Sequence, residues 1–228
     1  MGSKDESKSP FSAMAAFDEG RALSNGVKWP IQIAAFWLFL VSFSAYLALN
    51  LLPSFLIEVN SNSMLIVLLA IAAQFTNIAI TTPITTGFML MGVNRAAGGG
   101  IDSGFLWSYF PQTGKLFLGY LLMALLMGLG FMLLIIPGIY LSVAYVFAMP
   151  LIADKKMGVW QALETSRKTV SKHWFSYAGL ILILSLVNLL GVISLGIGLI
   201  WTIPWSINSL GVAYRDAFGF TATASESA

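Results

Sequence analysis

Charged residues are so sparse along this chain that they mark out its elements. Lys28 and Glu58 bound one apolar run, Glu58 and Arg95 a second, Lys115 and Asp154 a third, and Lys172 and Arg215 a fourth. The third run holds 38 consecutive uncharged residues. As one helix it would extend roughly 57 Å, nearly twice the hydrocarbon thickness of a bilayer. It has to reverse, and Pro137-Gly138 is the expected turn. The fourth run reverses in the same way over the glycine-punctuated stretch from Gly191 to Gly198. The pattern predicts an all-α, polytopic membrane protein with six transmembrane helices arranged as three hairpins. The spans fall at about residues 30–52, 64–90, 116–135, 139–153, 174–194 and 198–214.

The polar positions add an orientation. Lys4, Lys8, Arg21 and Lys28 precede the first span, and Arg95 and Lys115 flank the link between the second and third. Lys155, Lys156, Arg167, Lys168 and Lys172 lie between the fourth and fifth, and Arg215 follows the sixth. All 12 lysines and arginines therefore fall on one side, with Glu58 the one charged residue expected on the other. The positive-inside rule makes the basic side cytoplasmic and predicts both termini inside, in a multi-pass protein. Residues 1–29 read as a cytoplasmic leader with a short interfacial segment, 30–215 as the membrane domain and 216–228 as a cytoplasmic tail. The leader is too long and too mixed in charge for a cleaved signal peptide.

Two polar stretches on the basic side carry apolar side chains at helical spacing. Met157, Trp160, Leu163, Val170 and Trp174 recur at three, three, seven and four residues, between Glu164, Arg167, Lys168 and Lys172. That is the pattern of an amphipathic helix lying in the membrane interface. Phe105, Leu106, Trp107, Tyr109 and Phe110 form a comparable segment after the link Gly98-Gly99-Gly100, and Phe11, Met14 and Phe17 another in the leader. Each precedes a hairpin. Pro83, Pro150 and Pro204 are followed at similar distances by Gly92-Val93, Gly158-Val159 and Gly211-Val212, which suggests three related units in one orientation.

Composition fits a lipid solvent, with 57% hydrophobic and 10% charged residues where a soluble domain carries about 25% charged. A net charge of +2 gives no reason to expect a nucleic-acid partner, and the absence of cysteine excludes disulfides and thiolate metal sites.

Candidates for chemistry are few. His173 is the single histidine and reads as an interfacial anchor. Asp102, Asp154, Glu164 and Asp216 all lie on the basic side, where helix capping and ion pairing account for them. No predicted span contains an ionisable residue, which argues against an ion-coupled carrier or an intramembrane protease. The most polar span residues are Gln74, Asn77 and Thr81, which share a helical face and are the candidate lining of a cavity together with Asn188 and Asn208. The alternative is that they hydrogen-bond between helices and hold the bundle together. No catalytic, cofactor or metal residue is assigned.

The stretch from Ile136 through Trp174 resembles the signature of a group of bacterial inner-membrane proteins. The group includes the YciC-like proteins and the membrane domain attached to some glycerophosphodiester phosphodiesterases. The resemblance rests on Pro137, Gly138, Tyr140, Pro150, Leu151, Asp154, the Ala162-Leu163 pair, Ser166 and Trp174, and extends over about residues 130 to 215. It implies a six-helix protein of the bacterial inner membrane, with Pro137, Gly138, Pro150, Asp154 and Trp174 as structural motif positions, and brings no catalytic domain or activity. The expectation is a non-enzymatic membrane protein acting through lipid, a membrane-protein partner or a second copy of itself. The alternative is a small channel or uncoupled permease for a neutral or amphipathic solute.

Overall fold

The structure, a computed structural model, describes residues 11–59, 63–101 and 103–220. Among the described residues there are nine α-helices and no strand. A short helix α1 (Ala13–Leu23) bends by 102° into α2 (Lys28–Val59), which is followed by α3 (Ser63–Ala96). Two 3-10 turns (Ser103–Leu106 and Phe110–Gln112) lead into α4 (Thr113–Leu133), and α5 (Ile135–Ala144) and α6 (Ala148–Asp154) return beside it. The chain closes with α7 (Val159–Ser171), α8 (Trp174–Ile193) and α9 (Leu199–Phe218).

Four stretches are long and apolar enough to cross a membrane: Val67–Ala96, Gly104–Leu133, Ile135–Asp154 and Trp174–Ile193. The bent pair of α1 with the first part of α2 brings the number to five. Large apolar side chains face outward at both hairpin tips, with Met132 at 86% and Leu195 at 92% exposure, as lipid-facing positions require.

The expected sixth span, α9, is not among the four or five. Its reason for being less apolar is its position. It packs against α1, α2, α3 and α8, and buries Thr202, Asn208 and Ser209 with Val212, Ala213 and Tyr214. Asn208 Nδ2 donates to Ser24 Oγ at 2.9 Å, and Ser24 Oγ donates to the Gly20 carbonyl at 2.9 Å. Asn188 Nδ2 on α8 donates to Ser206 Oγ at 2.6 Å. A helix surrounded by protein can carry polar side chains that hydrogen-bond its neighbours.

Proline explains several local features. The chain reverses at Leu134, whose backbone is extended, three residues earlier than the expected Pro137-Gly138 turn. Pro137 falls instead in the first turn of α5, where its missing N–H costs nothing. Gly138 sets the approach of the two arms, because a Cβ there would collide with the Phe131 ring. The predicted fourth span is broken at residues 145–147 into α5 and α6. Pro150 accounts for the break, since its ring excludes a helical carbonyl at Val146. The Ser166 hydroxyl on α7 donates to the Ala144 carbonyl at 2.7 Å, at the frayed end of α5. In α9, Pro204 frees the Ile200 carbonyl, and Gln32 Nε2 donates to it at 3.0 Å and to Leu199 at 3.1 Å.

Helices α3 and α9 cross with their backbones in contact. A Cβ on Gly92 would collide with the Ile207 carbonyl, and one on Gly211 with the Gly92 carbonyl. Two of the three Gly-Val pairs noted in the sequence therefore meet one another. The third differs: Gly158 is the N-cap of α7 and has no atom within 4 Å of a Cβ placed on it.

The predicted amphipathic helix is α7, but its apolar side is covered by protein. Ala162, Leu163, Ser166 and Val170 are buried, and the helix packs against α4, α5, α6 and α8. Trp160 lies outside that stripe and is 63% exposed. The 3-10 segment is docked in part too, with Leu106 fully buried beside Gly87 of α3. The glycine link folds back on α3, where Asn94 Nδ2 donates to the Gly100 carbonyl at 2.8 Å.

Candidate functional site

The charged ends of several helices are tied together. The Arg215 guanidinium grips Glu19 with two bonds of 2.6 and 3.1 Å, donates to Asp216, and donates to the Ala96 carbonyl at the end of α3 at 2.7 Å. These bonds hold its pKa above the ordinary arginine value, Glu19 contributing most. Arg95 Nε donates to the Leu23 carbonyl that ends α1. Tyr214 donates to Asp154 at 2.7 Å, and Lys155 reaches both Asp154 and the Gly219 carbonyl. Cations at helix C-termini complement exposed carbonyls and the negative end of the dipole, so charge placement assembles this end of the bundle.

Beside this network lies a cleft of about 530 Å³ between α1, the α7–α8 junction and the end of α9. Its floor is apolar. Phe11 stacks on Tyr177 at 4.3 Å, and Phe147 packs edge-on to Tyr177 from behind. Its rim carries both signs of charge, from Glu19, Lys172 and Asp216, with His173 beside them. An apolar floor under a mixed-charge rim suits one end of an amphipathic molecule.

A second cluster joins α5, α7 and α8. The Tyr140 and Ser171 hydroxyls are 2.6 Å apart, Trp174 Nε1 donates to the Tyr140 carbonyl at 3.2 Å, and the Tyr140 and Trp174 rings stack. Arg167 holds Glu164 with bonds of 2.9 and 2.7 Å, and Lys168 adds a contact at 3.3 Å. The Arg167 hydrogen bonds are the main reason that the Glu164 carboxyl titrates down at about 2. A folded pKa below the unfolded one gives stability that is complete above the usual carboxylate range and is lost as pH falls through about 2. An infrared or NMR titration of labelled glutamate should find this carboxylate still ionised at pH 3, with Arg167→Met returning it to the ordinary range. A normal midpoint in the unaltered chain would remove the pairing.

The residues singled out in the sequence are dispersed. Thr81 donates to the Asn77 carbonyl within α3, Gln74 is exposed, Asn188 joins α8 to α9, and Asn208 is buried against α1. None of them lines any of the three cavities described for this chain. Pro137 and Gly138 open α5, Pro150 lies in α6, and Asp154 and Trp174 enter the contacts above. His173 lines the cleft as the N-cap residue of α8. Asp154, Glu164 and Asp216 go to separate partners, and Asp102 lies outside the described residues. Sequence reasoning missed Glu19, Lys172 and Tyr177 as neighbours, and the clustering of charge on one side was the only available signal. Protein-family models, curated proteins and solved structures contain no match to this chain.

Proposed function

We propose that this chain is a multi-pass protein of the bacterial inner membrane, with both termini cytoplasmic, that acts without catalytic chemistry by engaging membrane lipid through its charged end. The cleft carries the reading, since its apolar floor and mixed-charge rim match an amphipathic ligand with charge at one end. The antiparallel pairing of α8 with α9 closes the last hairpin, with Gly191 close to Thr202 and Asn188 bonded to Ser206. The resemblance of residues 130 to 215 to bacterial inner-membrane proteins supports the location.

Photolabelling in nanodiscs tests the function. A phospholipid with a photoreactive headgroup is expected to label peptides containing residues 11–19 and 169–177. Label confined to the outward faces of α2 and α3 would defeat the reading. So would selective solute flux through proteoliposomes that Gln74→Leu with Asn77→Leu abolishes, as a channel requires. The chain has no cysteine, so single substitutions report topology directly. An impermeant thiol reagent should reach Ile197→Cys from outside and leave Lys156→Cys unmodified.

A further inference from the structure

At the elbow between α1 and α2 a niche of about 380 Å³ is lined by Asp18, Arg21, Asn25, Lys28 and Trp205. It is separate from the cleft, with which it shares no lining residue. Among the described residues neither Arg21 nor Lys28 has an ion-pair partner, unlike Arg167 and Arg215. Lys28 is the first residue of a 32-residue helix, whose N-terminus adds positive potential. Its ammonium lies 6.0 Å from the Trp201 ring centroid, and Trp29 beside it is 73% exposed. Three tryptophans thus surround the elbow, the residue type enriched at membrane interfaces.

We infer that this niche binds the phosphodiester of a phospholipid, with Arg21 and Lys28 holding the phosphate and Asp18 accepting a hydrogen bond from a donor on the headgroup. Arg21 presents a guanidinium suited to two phosphate oxygens, and Lys28 supplies a second charge. Two cations and one carboxylate leave a net charge of +1, which matches the single negative charge of a phosphodiester. Asp18 sets the selectivity. It accepts from the ammonium of an ethanolamine head or the hydroxyls of a glycerol head, whereas a quaternary choline head has no proton to give. The inference rests on the lipid-engaging reading above and adds a particular site and headgroup class.

The test measures lipid binding to delipidated full-length protein by native mass spectrometry, titrating phosphatidylethanolamine, phosphatidylglycerol and phosphatidylcholine with matched acyl chains. The unaltered protein should take the first two in preference to the third. Arg21→Gln with Lys28→Gln should weaken phosphatidylglycerol binding roughly tenfold to thirtyfold, as expected for the loss of two headgroup-level cations. Asp18→Asn should leave phosphate binding in place and remove the discrimination against choline. Asp18 and Arg21 are exposed, and Lys28 gives up only its contact with the Trp201 ring, so the fold should survive, with circular dichroism as the check. Equal affinity for the three lipids, or a double variant that binds as the unaltered protein does, overturns the inference. So does displacement of bound lipid by millimolar inorganic phosphate, which would make the niche a site for free phosphate. Headgroup discrimination that persists when the cleft takes no photolabel supports the niche and defeats only the broader reading. Cleft labelling with no discrimination defeats the niche alone.

Discussion

Gly211→Ala should destabilise the bundle by about 3 kcal/mol, the upper end of the usual cost of overpacking. The added methyl would meet the Gly92 backbone, and neither helix has a side chain there that could move aside. Overpacking is normally relieved by rotamer changes, which two backbones in contact do not have. The consequence is specific to a lipid solvent. Hydrocarbon tails are as apolar as a leucine side chain, so close packing takes over much of the role that water exclusion has in soluble proteins. Separating α3 from α9 would also loosen the Arg215 bond to Ala96 and the seat of Asn208 against Ser24. Unfolding in mixed micelles measures the loss, and Gly158→Ala is the control because its Cβ would enter open space. A Gly211→Ala protein as stable as its parent would show that α3 and α9 do not cross at these glycines.

Arg215→Met should release α1 from the charged end. The guanidinium bridges Glu19 of α1, the terminal carbonyl of α3 and Asp216 of its own helix, and its side chain is 27% exposed. Part of each ion pair is screened by solvent, so the expected loss is about 1–2 kcal/mol, centred on one element. Hydrogen exchange is the suitable readout. Amides of residues 13–23 should exchange markedly faster, while those of α8 remain protected. Arg167→Met removes the same charge from an i,i+3 pair within α7 and should leave α1 protected. Equal protection of α1 in the two variants would reduce the Arg215 contacts to surface decoration.

How far the sequence reached depends on the range of each interaction. The apolar runs around α4 and α8 were legible because hydropathy acts locally, and α7 declared its amphipathic period. What covers its apolar side was not legible, since lipid and a neighbouring helix present the same apolar surface to a single sequence. Pro150 carried a local signal for the break between α5 and α6, and the expected continuous span overrode it. The docking of α1 on α9 left no such signal. Gly20 and Ser209, or Ser24 and Asn208, are more than 180 residues apart, and only the fold brings them together. The cleft is the same kind of object, assembled from three separate parts of the chain.

The polarity of α9 also bears on the order in which the protein can be made. A helix leaves the insertion machinery for lipid on its own when its side chains favour hydrocarbon, and a segment bearing Thr202, Ser206, Asn208 and Ser209 gains little from that transfer. Among the described helices it is also the last in chain order. By then α1, α2, α3 and α8 already exist, and these are the helices that supply its polar contacts. The earlier helices therefore act as a scaffold for α9. It is received by assembly against them, in place of independent partitioning.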